Sequence, residues 1–122
     1  MRGAVQNLQA CLTVRLILPS GHQVGLEFVV DTGFEGALAL PLETIAQLKL
    51  PFELELDSVL ADGNAVPTPV HSATILWQNK QIDVAILGLG ERPLLGTALL
   101  ADYRLTVDFF ESGQVTVLPI TV

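Results

Sequence analysis

The chain has little of what would tie a protein to a metal, a membrane or a nucleic acid. Cysteine occurs once, as Cys11. No intrachain disulfide can form, and a reducing, cytoplasmic compartment is expected. Cys11 lies in the strand-like run Cys11-Leu12-Thr13-Val14, which favours a small buried side chain over a nucleophile. The two histidines, His22 in a turn and His71 on a proline-bearing arm, have no partner at metal-ligand spacing. Both are expected at the surface, with no metal and no cofactor. Basic residues number 6 against 13 acidic ones, a net charge of −7, and no Lys/Arg cluster exists. That balance excludes phosphate backbones and anionic membrane surfaces as partners. It also means that copies of the chain repel each other less at lower pH. The densest apolar run, Val84 to Leu89, stops at Gly90-Glu91-Arg92-Pro93, far short of a membrane span. The first nine residues are too polar for a signal-peptide core. Ser20, Ser58, Ser72 and Ser112 have no nucleophile-elbow context, and Gly88-Leu89-Gly90 lacks the third glycine of a dinucleotide site.

What the chain does have is apolar bulk. Half of its 122 residues are hydrophobic and 16% are charged, which rules out disorder and fits one domain over residues 1–122. The surplus suits either a well-filled core or a large interface between identical subunits.

Short strands and turns account for nearly the whole sequence. Leu12 to Leu18 alternates, Pro19-Ser20-Gly21-His22 turns, and Gln23 to Val30 returns as a hairpin. Ala37 to Leu40 reads as a short strand. A helix follows, opened by Pro41, favoured by Glu43 and stopped by Pro51. Phe52 to Asp57 alternates as a half-buried strand should, and the pattern continues to Ala61. Asp62-Gly63-Asn64 is a tight-turn signal, and Pro67 and Pro69 put the outgoing arm at a sheet edge. Ala73–Trp77 and Gln81–Leu87 predict another hairpin. A second short helix is expected over Thr97 to Tyr103, then strands at Leu105–Phe109 and Gln114–Leu118. Asp83 and Asp108 alternate with apolar neighbours and should face solvent; Trp77 and Phe109 should lie in the core. Many short strands with one or two short helices predict an all-β fold, closed or sandwiched.

One triplet carries chemistry. Asp31-Thr32-Gly33 stands directly behind the apolar run Leu26 to Val30. A carboxylate delivered by a buried strand suits acid–base work when a second carboxylate meets it. The triplet occurs once, so the second copy has to come from a second subunit. The same residues are good turn formers, and a plain turn is the other reading.

Val30-Asp31-Thr32-Gly33-Phe34-Glu35-Gly36, the Asp62-Gly63 hairpin and Leu94-Leu95-Gly96 follow one another as in retropepsin-like aspartic proteases. More narrowly, with Leu40-Pro41 behind the triplet, the chain resembles the small bacterial predicted aspartyl proteases of that group. The resemblance covers about Leu12 to Phe109. It implies a closed β-barrel acting as a symmetric homodimer, with Asp31 of each copy at the two-fold axis. It implies peptide-bond hydrolysis by a water activated between the two Asp31 carboxylates, with no metal or covalent intermediate. Thr32 would bond across the pair and Gly33 would bring its N–H to a carboxylate. Ala61, Asp62, Gly63 and Asn64 would form a flap over an extended polypeptide substrate, which Phe34, Leu95 and Gly96 would also help to bind. The chain departs from the viral pattern at Gly96-Thr97-Ala98 and at Glu35, where the viral enzymes carry an Arg and an Asp that buttress the site. The rival expectation is therefore a catalytically inactive peptide-binding or dimerisation module on the same fold, or a monomer that never assembles the pair.

Overall fold

In a computed structural model, which describes residues 1–59 and 61–121, the chain is mostly strand, with two short helices. The strands are β1 (Arg2–Gln6), β2 (Gln9–Ile17), β3 (Gln23–Val30), β4 (Leu38–Leu40), β5 (Phe52–Val59), β6 (Ala65–Trp77), β7 (Lys80–Gly88), β8 (Leu94–Leu95), β9 (Tyr103–Val107) and β10 (Gln114–Pro119). The helices are α1 (Leu42–Leu48) and α2 (Thr97–Leu100). All strands belong to one sheet, in the order β5-β6-β7-β4-β8-β3-β2-β1-β10-β9. An additional pairing of β2 with β6, through Arg15↔Leu76, Leu16↔Ile75 and Ile17↔Thr74, folds the sheet back on itself.

The local reasons are the expected ones for most elements. Alternation in β2 sends Leu12, Val14 and Leu16 inward, each at most 1% exposed, and leaves Thr13 and Arg15 outside. Gly21, at φ +90°, makes the turn to β3, and Arg15↔Gly25 sets the register. Pro41 opens α1, which ends on Lys49 in the left-handed conformation; Pro51 follows. Gln78 and Asn79, both at positive φ, form the two-residue turn between β6 and β7. The core gathers β2, Phe28, Leu38, Leu40, Ile75 and Ile86 with Val115 and Val117 from β10.

Several expectations are corrected. The polar N-terminus contains β1, flanked by β2 and β10. Strand β6 is continuous from Ala65, longer than the Ala73–Trp77 segment predicted. Prolines 67 and 69 lie opposite β5, on a stretch that β7 reaches only at Val70. β5 ends at Val59, and Ala61 is in a turn; Leu60 lies outside the described residues, as does Val122. The alternation of β5 does not bury a face: Phe52, Leu54 and Leu56 are all exposed, because β5 is the outermost strand, and only the ring of Phe52 meets a neighbour, His71. Helix α2 stops at Leu100, and Tyr103 already begins β9. Phe109, expected in the core, is 65% exposed beyond the end of β9. His71 is half-buried, edge-on to Phe52 at 5.4 Å, with its Nδ1 buried and unpaired among the described residues. Trp77 is in the core, edge-on to Tyr103 at 5.7 Å.

Candidate active site

Asp31 is the first residue past β3, and its position is fixed by its neighbour β8. Val29 and Val30 pair in parallel with Leu94 and Leu95. The Asp31 N–H donates to the Leu95 carbonyl at 2.9 Å, and Val29 N–H to the Pro93 carbonyl at 3.0 Å. The chain then turns: Phe34 N–H donates to the Asp31 carbonyl at 3.1 Å. Within the turn the Gly33 N–H reaches the Asp31 carboxylate, 2.9 Å from Oδ1.

A second layer of bonds holds this turn from beneath. Gly96 N–H donates to Ala37, Thr97 N–H to Phe34 and Ala98 N–H to Gly36, at 2.9, 2.8 and 3.2 Å. The Thr97 hydroxyl also donates to the Phe34 carbonyl. Two-residue β8 thus lies between β3 and β4, and the chain after it grips the 31–37 loop. Gly96 is buried there, since a Cβ would collide with the Gly36 and Phe34 carbonyl oxygens.

Asp31 and Thr32 open into a groove of about 390 Å³, walled by Val29, Val30, Arg92 and Leu94 among others. Asp31 is half-buried, while Thr32 and Gly33 are exposed. The Thr32 hydroxyl has no hydrogen bond among the described residues. Leu94 of the Leu94-Leu95-Gly96 motif lines this groove, but none of the residues expected to bind substrate, Phe34, Ala61 to Asn64, Leu95 and Gly96, does so within one copy of the chain. Leu95 is fully buried and acts through its carbonyl. Phe34 is half-buried above Gly96. Ala61 to Asn64 form an exposed tip, where Asp62 accepts bonds from the backbone and side-chain nitrogens of Asn64 at 3.0 and 2.9 Å.

Sequence reasoning missed Arg92, Leu105, Val107 and Phe109 as groove residues. The one signal was local: Arg92 precedes the Pro93-Leu94-Leu95-Gly96 segment that anchors Asp31. A larger hollow, about 550 Å³, lies elsewhere, between Leu18, Leu50, Glu53 and Asp83. Its two carboxylates already accept bonds from Ser72 and Thr74, and none of the triplet enters it. Among the described residues no cluster of His, Cys, Asp and Glu could hold a metal. No helix among them is long and apolar enough to cross a membrane.

Two solved structures share this architecture. A retropepsin-like aspartic protease from Rickettsia conorii superposes with a TM-score of 0.61 at 19% identity, covering 96% of this chain and 88% of that one. The fold is retropepsin-like. EIAV protease, solved in complex with the inhibitor HBY-793, superposes on the same retropepsin-like frame with a TM-score of 0.53 at 21% identity, covering 80% of this chain and 92% of that one. No protein-family model and no curated protein matches the chain. In this retropepsin-like frame the Asp31 turn occupies the seam between β3 and β8, gripped by the chain behind β8.

Proposed function

We propose that the chain is an aspartic endopeptidase that works as a symmetric homodimer. The observation that carries this reading is the Asp31 carboxylate itself. It stands at the end of β3, which pairs with β2 on one side and β8 on the other, receives the Gly33 N–H, and faces a groove while Thr32 beside it keeps a free hydroxyl. One copy supplies one such carboxylate, and the chemistry needs two. When two-fold symmetry brings the Asp31 side chains together, they cannot both ionise easily and share one proton. The ionised member takes a proton from water as that water attacks the peptide carbon. The protonated member donates to the carbonyl oxygen, and the pair titrates as a unit. Each Thr32 hydroxyl bonds across the pair and fixes its geometry.

The β5–β6 hairpin, with Ala61 to Asn64 at its tip, closes over an extended peptide and excludes water. Its exposed apolar residues Leu54 and Leu56, opposite Val70 and Thr68, support this role, because a flap needs an apolar face that is free until substrate arrives. Phe34, Leu95 and Gly96 support the floor on which the peptide lies. Residues 1–122 act as one domain in the cytoplasm, where Cys11 stays reduced.

The test is hydrolysis of a peptide library from acidic to neutral pH. The expected profile of kcat/KM is bell-shaped, and Asp31→Asn abolishes cleavage while leaving a folded dimer by ultracentrifugation. Cleavage retained by Asp31→Asn sinks the assignment. Peptide binding without any cleavage by the unaltered chain assigns a non-catalytic binding module instead.

A further inference from the structure

Arg92 stands out on the groove wall. The wall is otherwise built mainly from apolar side chains such as Val29, Val30, Leu94 and Leu105, and its charged groups are Asp31 and Arg92. In a chain with 6 basic residues against 13 acidic ones, an arginine placed here without an acidic partner is conspicuous. Among the described residues its guanidinium has one hydrogen bond, from Nη1 to the neutral Gln9 Oε1 at 2.5 Å, and no ion pair. A guanidinium carries five N–H donors in a rigid fork that matches a carboxylate, so four remain to be satisfied.

The guanidinium is also held ready. Gln9 restrains its head. Its backbone is fixed from both sides: Gly90 turns the chain at φ +81°, and Pro93, next in sequence, accepts the Val29 N–H at 3.0 Å. The strand that delivers Asp31 and the segment that delivers Arg92 are therefore one hydrogen-bonded unit. A binding group ordered before its ligand arrives loses less freedom on binding.

Resting on the endopeptidase reading above, the geometry points to Arg92 as a specificity-determining residue that selects a Glu or Asp side chain beside the bond to be cut. Two-fold symmetry places an Arg92 on each side of that bond. An acidic residue is then favoured on either side, and a peptide with one on both sides gains twice. Charge-assisted pairing of this kind discriminates by about tenfold per contact.

Two measurements separate this inference from the reading beneath it. In the first, short peptides carrying Glu, Gln or Lys beside an apolar pair are compared as substrates. The Glu/Gln ratio of kcat/KM is expected near tenfold, falling to unity in Arg92→Gln and shifting toward the Lys peptide in Arg92→Glu. In the second, the same peptides are titrated into Asp31→Asn protein by calorimetry, with and without Arg92→Gln, so that preference is read without catalysis. A charge preference in binding that Arg92→Gln removes upholds Arg92 as selector even if the unaltered chain cuts nothing. Equal affinity for Glu and Gln peptides, or a preference that survives Arg92→Gln, overturns it. So does an Arg92→Gln protein whose dimer falls apart while the Glu/Gln ratio stays fixed, since Arg92 would then belong to the subunit contact.

Discussion

Two glycines of this chain show how differently one missing side chain can matter. Gly96 is packed under the Asp31 turn, where a methyl group would meet the Gly36 and Phe34 carbonyl oxygens. Backbone atoms cannot swing aside as a side-chain tip can. Gly96→Ala should therefore cost about 2–3 kcal/mol or more, read as a lower midpoint in urea with the fluorescence of Trp77, the single tryptophan. Gly63, at φ +87° on an exposed tip with nothing within 4 Å of its missing Cβ, should lose only about 1 kcal/mol on the same change. Equal losses at the two positions would refute the packing argument. Cys11 gives a second prediction. Burial first, and then the Glu27 carboxylate, hold its thiol above the ordinary range, so the folded chain keeps this proton more tightly than the unfolded one. The stability this brings is complete below the unfolded thiol value, about pH 8.5, and drains away as pH rises through the folded value. Chemical denaturation of the unaltered chain and Cys11→Ala from pH 7 to 10 should show a decline at alkaline pH that the variant lacks. At this scale the sequence is legible where chemistry is local. Asp31, Thr32 and Gly33 are consecutive and could be found by reading along the chain. Arg92 and Phe109 could not, because the groove wall is assembled from separated segments that only the sheet brings together.

Elements were legible in proportion to how far their own residues determine them. Helix α1 lies between Pro41 and Pro51, and both prolines act on the backbone whatever surrounds them. The alternation of β2 and β3 predicted their hairpin, and the structure repeats it. β5 is the instructive failure. Phe52-Glu53-Leu54-Glu55-Leu56-Asp57 has the pattern of a strand with one buried face, yet pattern cannot say whether anything lies against that face. Here little does among the described residues: Phe52 meets His71 edge-on, and Leu54 and Leu56 stay exposed at the rim of the sheet. β1 fails in the opposite sense: its sequence is a weak strand former, and its conformation is imposed by β2 on one side and β10 on the other. The same contrast predicts dynamics. Amides of β5 and of Ala65 and Val66 have one ladder neighbour and little cover, whereas β2 and β3 lie inside the sheet. Amide hydrogen exchange should be faster in the first group by at least about a hundredfold, corresponding to local opening some 3 kcal/mol easier than global unfolding. Comparable protection in β5 and β2 would contradict this account.

The molecule as a whole carries −7 per copy, so the proposed pairing of two copies would work against a long-range repulsion. Sedimentation should find association strengthened by a few-fold between about 0.01 and 0.15 M salt, and again as pH falls toward the sequence pI of 4.5. Association indifferent to both would place the subunit contact where charge is already balanced. The pairing of β2 with β6 has a further consequence, which concerns time. Arg15 and Leu76 are about sixty residues apart along the chain, and Ile17 and Thr74 nearly as far. Their meeting demands an entropic sacrifice before this long-range contact rewards it, so renaturation should run over about milliseconds to seconds. Until that seam shuts, β2 and the far half of β6 offer unsatisfied backbone to any passing chain. Dilute renaturation should then recover more protein than concentrated renaturation, an economy imposed by topology and independent of whatever Asp31 does.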